Sequence, residues 1–134
     1  MKAVFADTYY YIALLNPRDA GHSAARHAGD DRDGAVVTTR WVLAEVGDAM
    51  AKPADRSKFV TLLEALAGDP DVKIVPATDD LFEKGVELYA SRADKSWSLT
   101  DCISFVVMSD LGIDEALTAD QDFEQAGYRA VLKV

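Results

Sequence analysis

Cysteine and histidine are nearly missing from this chain, which has one cysteine, Cys102, and two histidines, His22 and His27, in 134 residues. A lone cysteine excludes an intramolecular disulfide. Its place inside an apolar run reads as a small core residue, and a reducing cytoplasm fits. The histidines stand five apart, a spacing that does not put both on one helical face, so they read as surface residues and not as ligands. With no Cys/His cluster, zinc is disfavoured. A Walker phosphate loop and a Gly-x-Gly-x-x-Gly turn are both absent, which removes nucleotide binding of those kinds. No apolar stretch approaches membrane-spanning length, and residues 1–5 run straight into a strand-like segment with Asp7 behind it, so neither a membrane span nor a signal peptide is expected. Basic residues are also scarce, 14 against 23 acids, for a formal charge of −9. That balance argues against a simple basic groove for nucleic acid. Two routes to a polyanion or a partner remain. Carboxylates gathered around divalent cations would turn a negative surface into a phosphate site, and a basic protein would be drawn to the acidic surface.

What is present is enough apolar sequence for one domain over residues 1–134, with no repeats, linker or low-complexity tract. Strand-like runs fall at 2–6, 35–38, 72–75, 116–118 and 129–133. Helical patterns occupy 9–15, 19–28, 40–51, 56–67 and 78–92, and a further helix is capped by Ser98 and stopped by Gly112. Residues 29–34 read as a solvated turn, and 120–123 as a short turn between the last two strands. This order calls for an α/β domain of three α/β/α layers around a mostly parallel five-stranded sheet. In such sheets ligands bind outside the carboxyl ends of the strands.

The segment 94–108 organises the rest. Ile103, Phe105, Val106, Val107, Met108 and Leu111 cover most of a helical circumference, so this helix belongs in the middle of the domain. Asp101 stands at its head, where an ionised carboxylate is tolerated only if paired, hydrogen-bonded or bound to metal. A capping box, Ser98-x-x-Asp101, gives it a purely structural explanation. Other acids sit as awkwardly. Asp7 ends the first strand. Glu45 has Trp41, Val42 and Ala49 three or four positions away and so shares an apolar stripe, although a snorkelling or ion-paired glutamate would explain it too. Asp120 and Asp122 follow the fourth strand. By contrast, Asp79 and Asp80 fall in the first turn of a helix capped by Thr78 and need no further account.

Asp7, Glu45, Asp101 and Asp120 are therefore expected at one rim. Without a cation, like charges so close would force at least one to take up a proton. Around Mg2+ or Mn2+ they would supply the hard oxygen donors those ions prefer, and such ions suit phosphoryl chemistry because they lower the pKa of bound water and stabilise a leaving oxygen. Thr8, Ser98 and Thr100 lie beside the acids, where they can orient ligands or water. Arg40 and Lys95 are expected near the rim.

Four blocks carry a resemblance: Ala-Asp-Thr-Tyr-Tyr-Tyr-Ile-Ala-Leu-Leu at 6–15, Thr-Thr-Arg-Trp-Val-Leu-Ala-Glu-Val at 38–46, Asp-Lys-Ser-Trp-Ser-Leu-Thr-Asp-Cys-Ile-Ser-Phe at 94–105 and Leu-Thr-Ala-Asp-Gln-Asp-Phe at 117–123. In this order and across the whole chain, the sequence resembles the PIN-domain ribonucleases, and its third block is similar to the VapC-like toxins of bacterial type II toxin-antitoxin modules. The resemblance implies a compact α/β/α fold whose acids bind Mg2+ or Mn2+ and cut RNA by water attack. By position, Asp7, Glu45, Asp101 and Asp120 match the family's acids. The fourth site varies in the family, so either Asp120 or Asp122 can complete the metal shell. The resemblance further implies a homodimer and a small antitoxin whose tail enters the acidic groove, and a basic tail would suit the charge.

Rival readings fit less well. A phosphoacceptor receiver domain needs an aspartate ending the third strand, where Val72 to Pro76 reads Val-Lys-Ile-Val-Pro, and a haloacid-dehalogenase-type phosphatase needs one at position 9, held by Tyr9. The alternative from another class is a catalytically idle PIN-like module that binds RNA or protein. Retention of four costly acids speaks against it.

Overall fold

Val4, Phe5 and Ala6 have no solvent exposure, as expected of a strand covered on both faces in a parallel sheet. The structure is a computed structural model and describes residues 2–32 and 34–134; Met1, and Asp33 in the turn expected over 29–34, lie outside the described residues. The sheet contains β1 (Val4–Ala6), β2 (Val36–Thr39), β3 (Val72–Val75), β4 (Glu115–Leu117) and β5 (Arg129–Ala130). Its order is β3-β2-β1-β4-β5, and all four neighbouring pairs are parallel, with Val4 opposite Val36 and Phe5 opposite Ala116.

Among the described residues seven helices connect these strands: α1 (Thr8–Leu15), α2 (His22–Asp30), α3 (Arg40–Ala49), α4 (Arg56–Ala67), α5 (Asp79–Ser91), α6 (Leu99–Leu111) and α7 (Gln121–Gln125). From β1 the chain steps outward to β2 and β3, then crosses back to β4 and continues to β5. Right-handed crossovers therefore put α1–α4 on one face and α5–α7 on the other. The packing agrees, since α1 lies against α2 and α3, whereas α6 lies against α5 and α7. The connections leave β1 and β4 in opposite directions, so a topological switch point opens between their carboxyl ends.

The helix starts are set by local side chains. Thr39 accepts from the Val42 amide at 3.1 Å and Thr78 from the Leu81 amide at 3.2 Å, each satisfying one orphan N–H of the first turn. Gly112 closes α6 with φ of 66°, a left-handed conformation that glycine adopts without a Cβ penalty. As its composition requires, α6 is the buried helix: Cys102, Ile103, Ser104, Phe105, Val107 and Met108 are all buried.

Several local expectations need correction. The first part of 19–28 is not helical, because Asp19 Oδ1 accepts from the Gly21 amide at 2.7 Å and this turn delays α2 to His22. His22 is not a free surface residue: its ring is half-buried, with Nδ1 2.7 Å from the Ala13 carbonyl oxygen. The turn expected at 120–123 is the N-cap and opening of α7. The last strand is shorter than 129–133, although the Val131 and Leu132 amides still donate to the Ala116 and Thr118 carbonyls at 3.0 and 3.1 Å.

The α5–α6 contact depends on a missing side chain. A Cβ built on Gly85 would lie 2.3 Å from Cγ1 of the fully buried Ile103. Gly85→Ala should lower the melting temperature even though alanine is the better helix former by about 1 kcal/mol, because overpacking a closed core costs about 1–3 kcal/mol. A thermal melt checks this, and an unchanged or raised midpoint would contradict the contact.

Candidate metal centre

The carboxyl edge of the sheet collects acids because β1 and β4 each give way to a polar residue, Asp7 and Thr118, shortly before the next helix begins. Asp7 follows β1 as the N-cap residue of α1, yet its side chain makes no capping bond. It instead accepts from Thr118 Oγ1 at 2.9 Å, across the switch point between β1 and β4. Asp7 is only 4% exposed. Burial pushes its carboxyl up to about 7, the Asp101 charge adds to this, and hydrogen bonds from the Thr118 hydroxyl and the Thr8 amide pull the other way.

Asp101 satisfies its structural explanation and also faces the site. The Ser98 hydroxyl accepts from the Asp101 amide at 3.0 Å, and Asp101 Oδ2 accepts from the Ser98 amide at 3.2 Å, a complete capping box. Burial nonetheless raises Asp101 to about 6, helped by the charges of Asp120 and Asp122 and opposed by the Ser98 amide. Asp120 caps α7, its Oδ1 accepting from the Asp122 amide at 2.9 Å, and its own amide donates to Thr118 Oγ1 at 3.1 Å. Asp122 is raised by burial and then by Asp120. Thr118 thus joins Asp7 to the α7 acids.

Carboxylate oxygens of Asp101, Asp120 and Asp122 lie within 4.8 Å of one another. Two donors on opposite sides of one Mg2+ sit roughly 4.2 Å apart, twice the usual Mg–O distance, so small side-chain rotations suffice to share an ion. Asp7 stands outside that trio but close enough for the charges of Asp101 and Asp120 to act on it. Glu45 is not drawn into the trio. Its Oε1 accepts from Thr8 Oγ1 at 2.6 Å, which ties it to the residue after Asp7, and it lies half-buried beside Val42 while Ala49 is exposed. Asp120 and Asp122, the two candidates for the fourth site, both belong to the trio.

The donor set fits a hard divalent cation. It is all oxygen, no His or Cys takes part among the described residues, and none of the ion pairs found there engages Asp7, Glu45, Asp101, Asp120 or Asp122. Acids this close with no basic partner call for an external cation or for protons. Thr118 was not foreseen as a contributor. The one signal for it was a hydroxyl directly after the apolar end of β4, a position that parallel strands usually fill with an apolar side chain.

Residues 4–127 match the PIN domain family. The chain belongs to that family. It is 30% identical over 125 residues to the 23S rRNA-specific endonuclease VapC20 of Mycobacterium tuberculosis, in strains CDC 1551 and H37Rv, covering 93% of this chain and 95% of the relative. The crystal structure of M. tuberculosis VapC20, described as a sarcin-ricin loop cleaving toxin, superposes with a TM-score of 0.88 at 28% identity over 97% of this chain and 99% of that one. FitAcB from Neisseria gonorrhoeae shares the fold, with a TM-score of 0.68 at 18% identity over 95% of each chain. The PIN fold expected from the sequence is the fold observed. Among the described residues no helix is long and apolar enough to cross a membrane.

Protonation gives a stability test. A carboxyl raised from 3.8 to about 7, as Asp7 is, keeps its proton in the folded state after the unfolded chain has lost it. Stability from this group is therefore full below pH 4 and lost as pH rises to 7. The metal-free PIN domain should melt lower at pH 8 than at pH 5, and Asp7→Asn should melt higher than the parent at pH 8. Mg2+ should raise the parent's midpoint at pH 8 far more than at pH 5. A variant melting below the parent at pH 8 would contradict the strained carboxylate.

Proposed function

We propose that this PIN domain, over residues 1–134, is a Mg2+- or Mn2+-dependent endoribonuclease and the toxin of a type II toxin-antitoxin pair. The observation that carries this reading is the trio of Asp101, Asp120 and Asp122 beside the buried Asp7, at the switch point where an α/β sheet places its ligand. In this proposal the four aspartates hold the ion, and Glu45, oriented by Thr8, completes the site from the α3 side. A bound divalent cation supplies Lewis-acid polarisation of the phosphodiester and a more acidic water. The chain's own part is to hold the acids fixed and partly dry. The capping bonds of Asp101 and Asp120 and the Thr118 bond to Asp7 each hold one carboxylate oxygen and set the direction of the other.

The similarity to VapC20 favours structured ribosomal RNA as the substrate class. A net charge of −9 suits silencing by a small antitoxin with a basic tail that competes for the acidic groove, and we assign the active form to a homodimer in the cytoplasm.

Purified protein should cleave 23S rRNA only with Mg2+ or Mn2+ added, and chelator should abolish cleavage. Asp7→Asn should lower the rate at least about 100-fold, the scale of a lost charge-stabilising group, with the fold intact by circular dichroism. Induced expression should arrest growth for the parent and not for Asp7→Asn. Cleavage that persists in chelator would overturn the metal mechanism, and a folded parent that cuts no RNA would leave an idle binding module.

A further inference from the structure

The end of α5, the connection into α6 and the first turn of α6 enclose a second feature: a cavity of about 410 Å3 whose lining includes Tyr89, Arg92, Lys95, Ser96, Trp97 and Cys102. Its volume lies within the roughly 300–1,000 Å3 of small-ligand sites. Cys102 follows Asp101 directly, so the cavity and the acidic cluster draw on the same first turn of α6.

The walls of the cavity are chemically unequal. Arg92 is already committed, with Nε and Nη2 on the two Asp94 oxygens at 3.0 and 3.1 Å and its guanidinium 5.1 Å from the centre of the Trp97 ring. Trp97 is locked edge-on against Phe105 at 5.1 Å. Although only 6% exposed, it leaves its indole N–H without an acceptor. That nitrogen has almost no accessible surface of its own, so Trp97 contributes a wall and not a donor. Lys95 is half-buried, and no acid forms an ion pair with it among the described residues. Its amide is fixed to the Arg92 carbonyl at 3.0 Å. Tyr89 presents a ring that is 53% exposed.

An uncommitted cation and an aromatic face together match two parts of one nucleotide, its phosphate and its base plane. In a chain of net charge −9, an unpaired lysine next to a cation site is well placed to attract a polyanion. We infer that this cavity is a nucleotide subsite, in which the RNA residue next to the cleaved phosphodiester stacks on Tyr89 and sets its phosphate on Lys95. The inference rests on the nuclease reading for which bond is cut, but not for whether RNA occupies the cavity.

The test is binding of a labelled 12-nucleotide single-stranded RNA and of a sarcin-ricin loop hairpin, by fluorescence anisotropy with Ca2+ in place of Mg2+ and RNA integrity checked on gels. Tyr89→Ala should weaken binding of at least one of the two about tenfold, the scale of one lost base-aromatic stack, and Tyr89→Phe should restore it. Lys95→Gln should weaken binding and reduce the slope of log affinity against log salt by about 0.7, one phosphate contact on a single strand; Lys95→Arg should keep the slope. Both positions lie at the surface, so melting curves should match the parent. If the parent binds and cuts RNA while Tyr89→Ala and Lys95→Gln bind both probes as tightly as it does, the subsite is wrong and the nuclease reading stands. If binding depends on these residues but no metal-dependent scission occurs, the subsite stands and the nuclease reading falls. A parent that binds neither RNA overturns the subsite.

Discussion

A single buried hydrogen bond, from the Thr118 hydroxyl to Asp7 at 2.9 Å, sets the terms for the whole carboxyl edge of this sheet. It fastens the ends of β1 and β4 on either side of the switch point and holds a carboxylate where no ion pair reaches it. A lone buried carboxylate is one of the most expensive groups a fold can carry. One hydroxyl does not offset that cost, as the rise of Asp7 to about 7 shows. The energetic tension in the metal-free fold is therefore concentrated at one place. Its neighbours add to it, since Asp101, Asp120 and Asp122 bring like charge to the same edge. A divalent cation removes the repulsion and the desolvation cost together, so ion binding and stability are coupled.

Below the acids lies a rigid aromatic support. Phe105 of α6 packs edge-on against Phe123 of α7 at 5.0 Å and stacks on Tyr128 at 5.8 Å, while Phe123 approaches Phe5 of β1 at 6.4 Å. Each element that carries one of the four aspartates thus contributes a ring to one cluster: Phe5 lies two residues before Asp7, Phe105 one turn after Asp101, and Phe123 next to Asp122. Rings packed at interior density fix the spacing of the elements that carry them. The hydroxyl of Tyr128 extends the brace by donating to the Phe105 carbonyl at 3.0 Å. Precision at a metal site comes from such supports as much as from the ligands.

Much of this was legible in the sequence, for identifiable reasons. The apolar stretch of α6 from Cys102 to Met108, broken only by Ser104, declared its central place, and the apolar run ending in Asp7 announced a strand with an acid at its carboxyl end. Ser98-x-x-Asp101 announced a cap, and that cap turned out to be compatible with a place in the acidic trio. Other features were hidden by their length or their range. The five residues of α7 are too few to show a helical period, and so 120–123 read as a turn when Asp120 is in fact the N-cap of a short helix that carries Asp122. Glu45 shared an apolar stripe on paper, but at the edge of α3 it reaches Thr8 and not the trio. The bond between Thr118 and Asp7 spans 111 positions, and no local pattern encodes the adjacency of β1 and β4 that makes it.

The central claim is that the acids of this edge form one divalent-cation site. Anomalous diffraction from crystals soaked in Mn2+ tests it most directly. The account predicts one or two peaks at about 2.0–2.3 Å from oxygens of Asp101 and Asp120 or Asp122, with Asp7 bound directly or through water. A fully soaked crystal with no peak at this edge, or with Mn2+ only on scattered surface carboxylates, would contradict it.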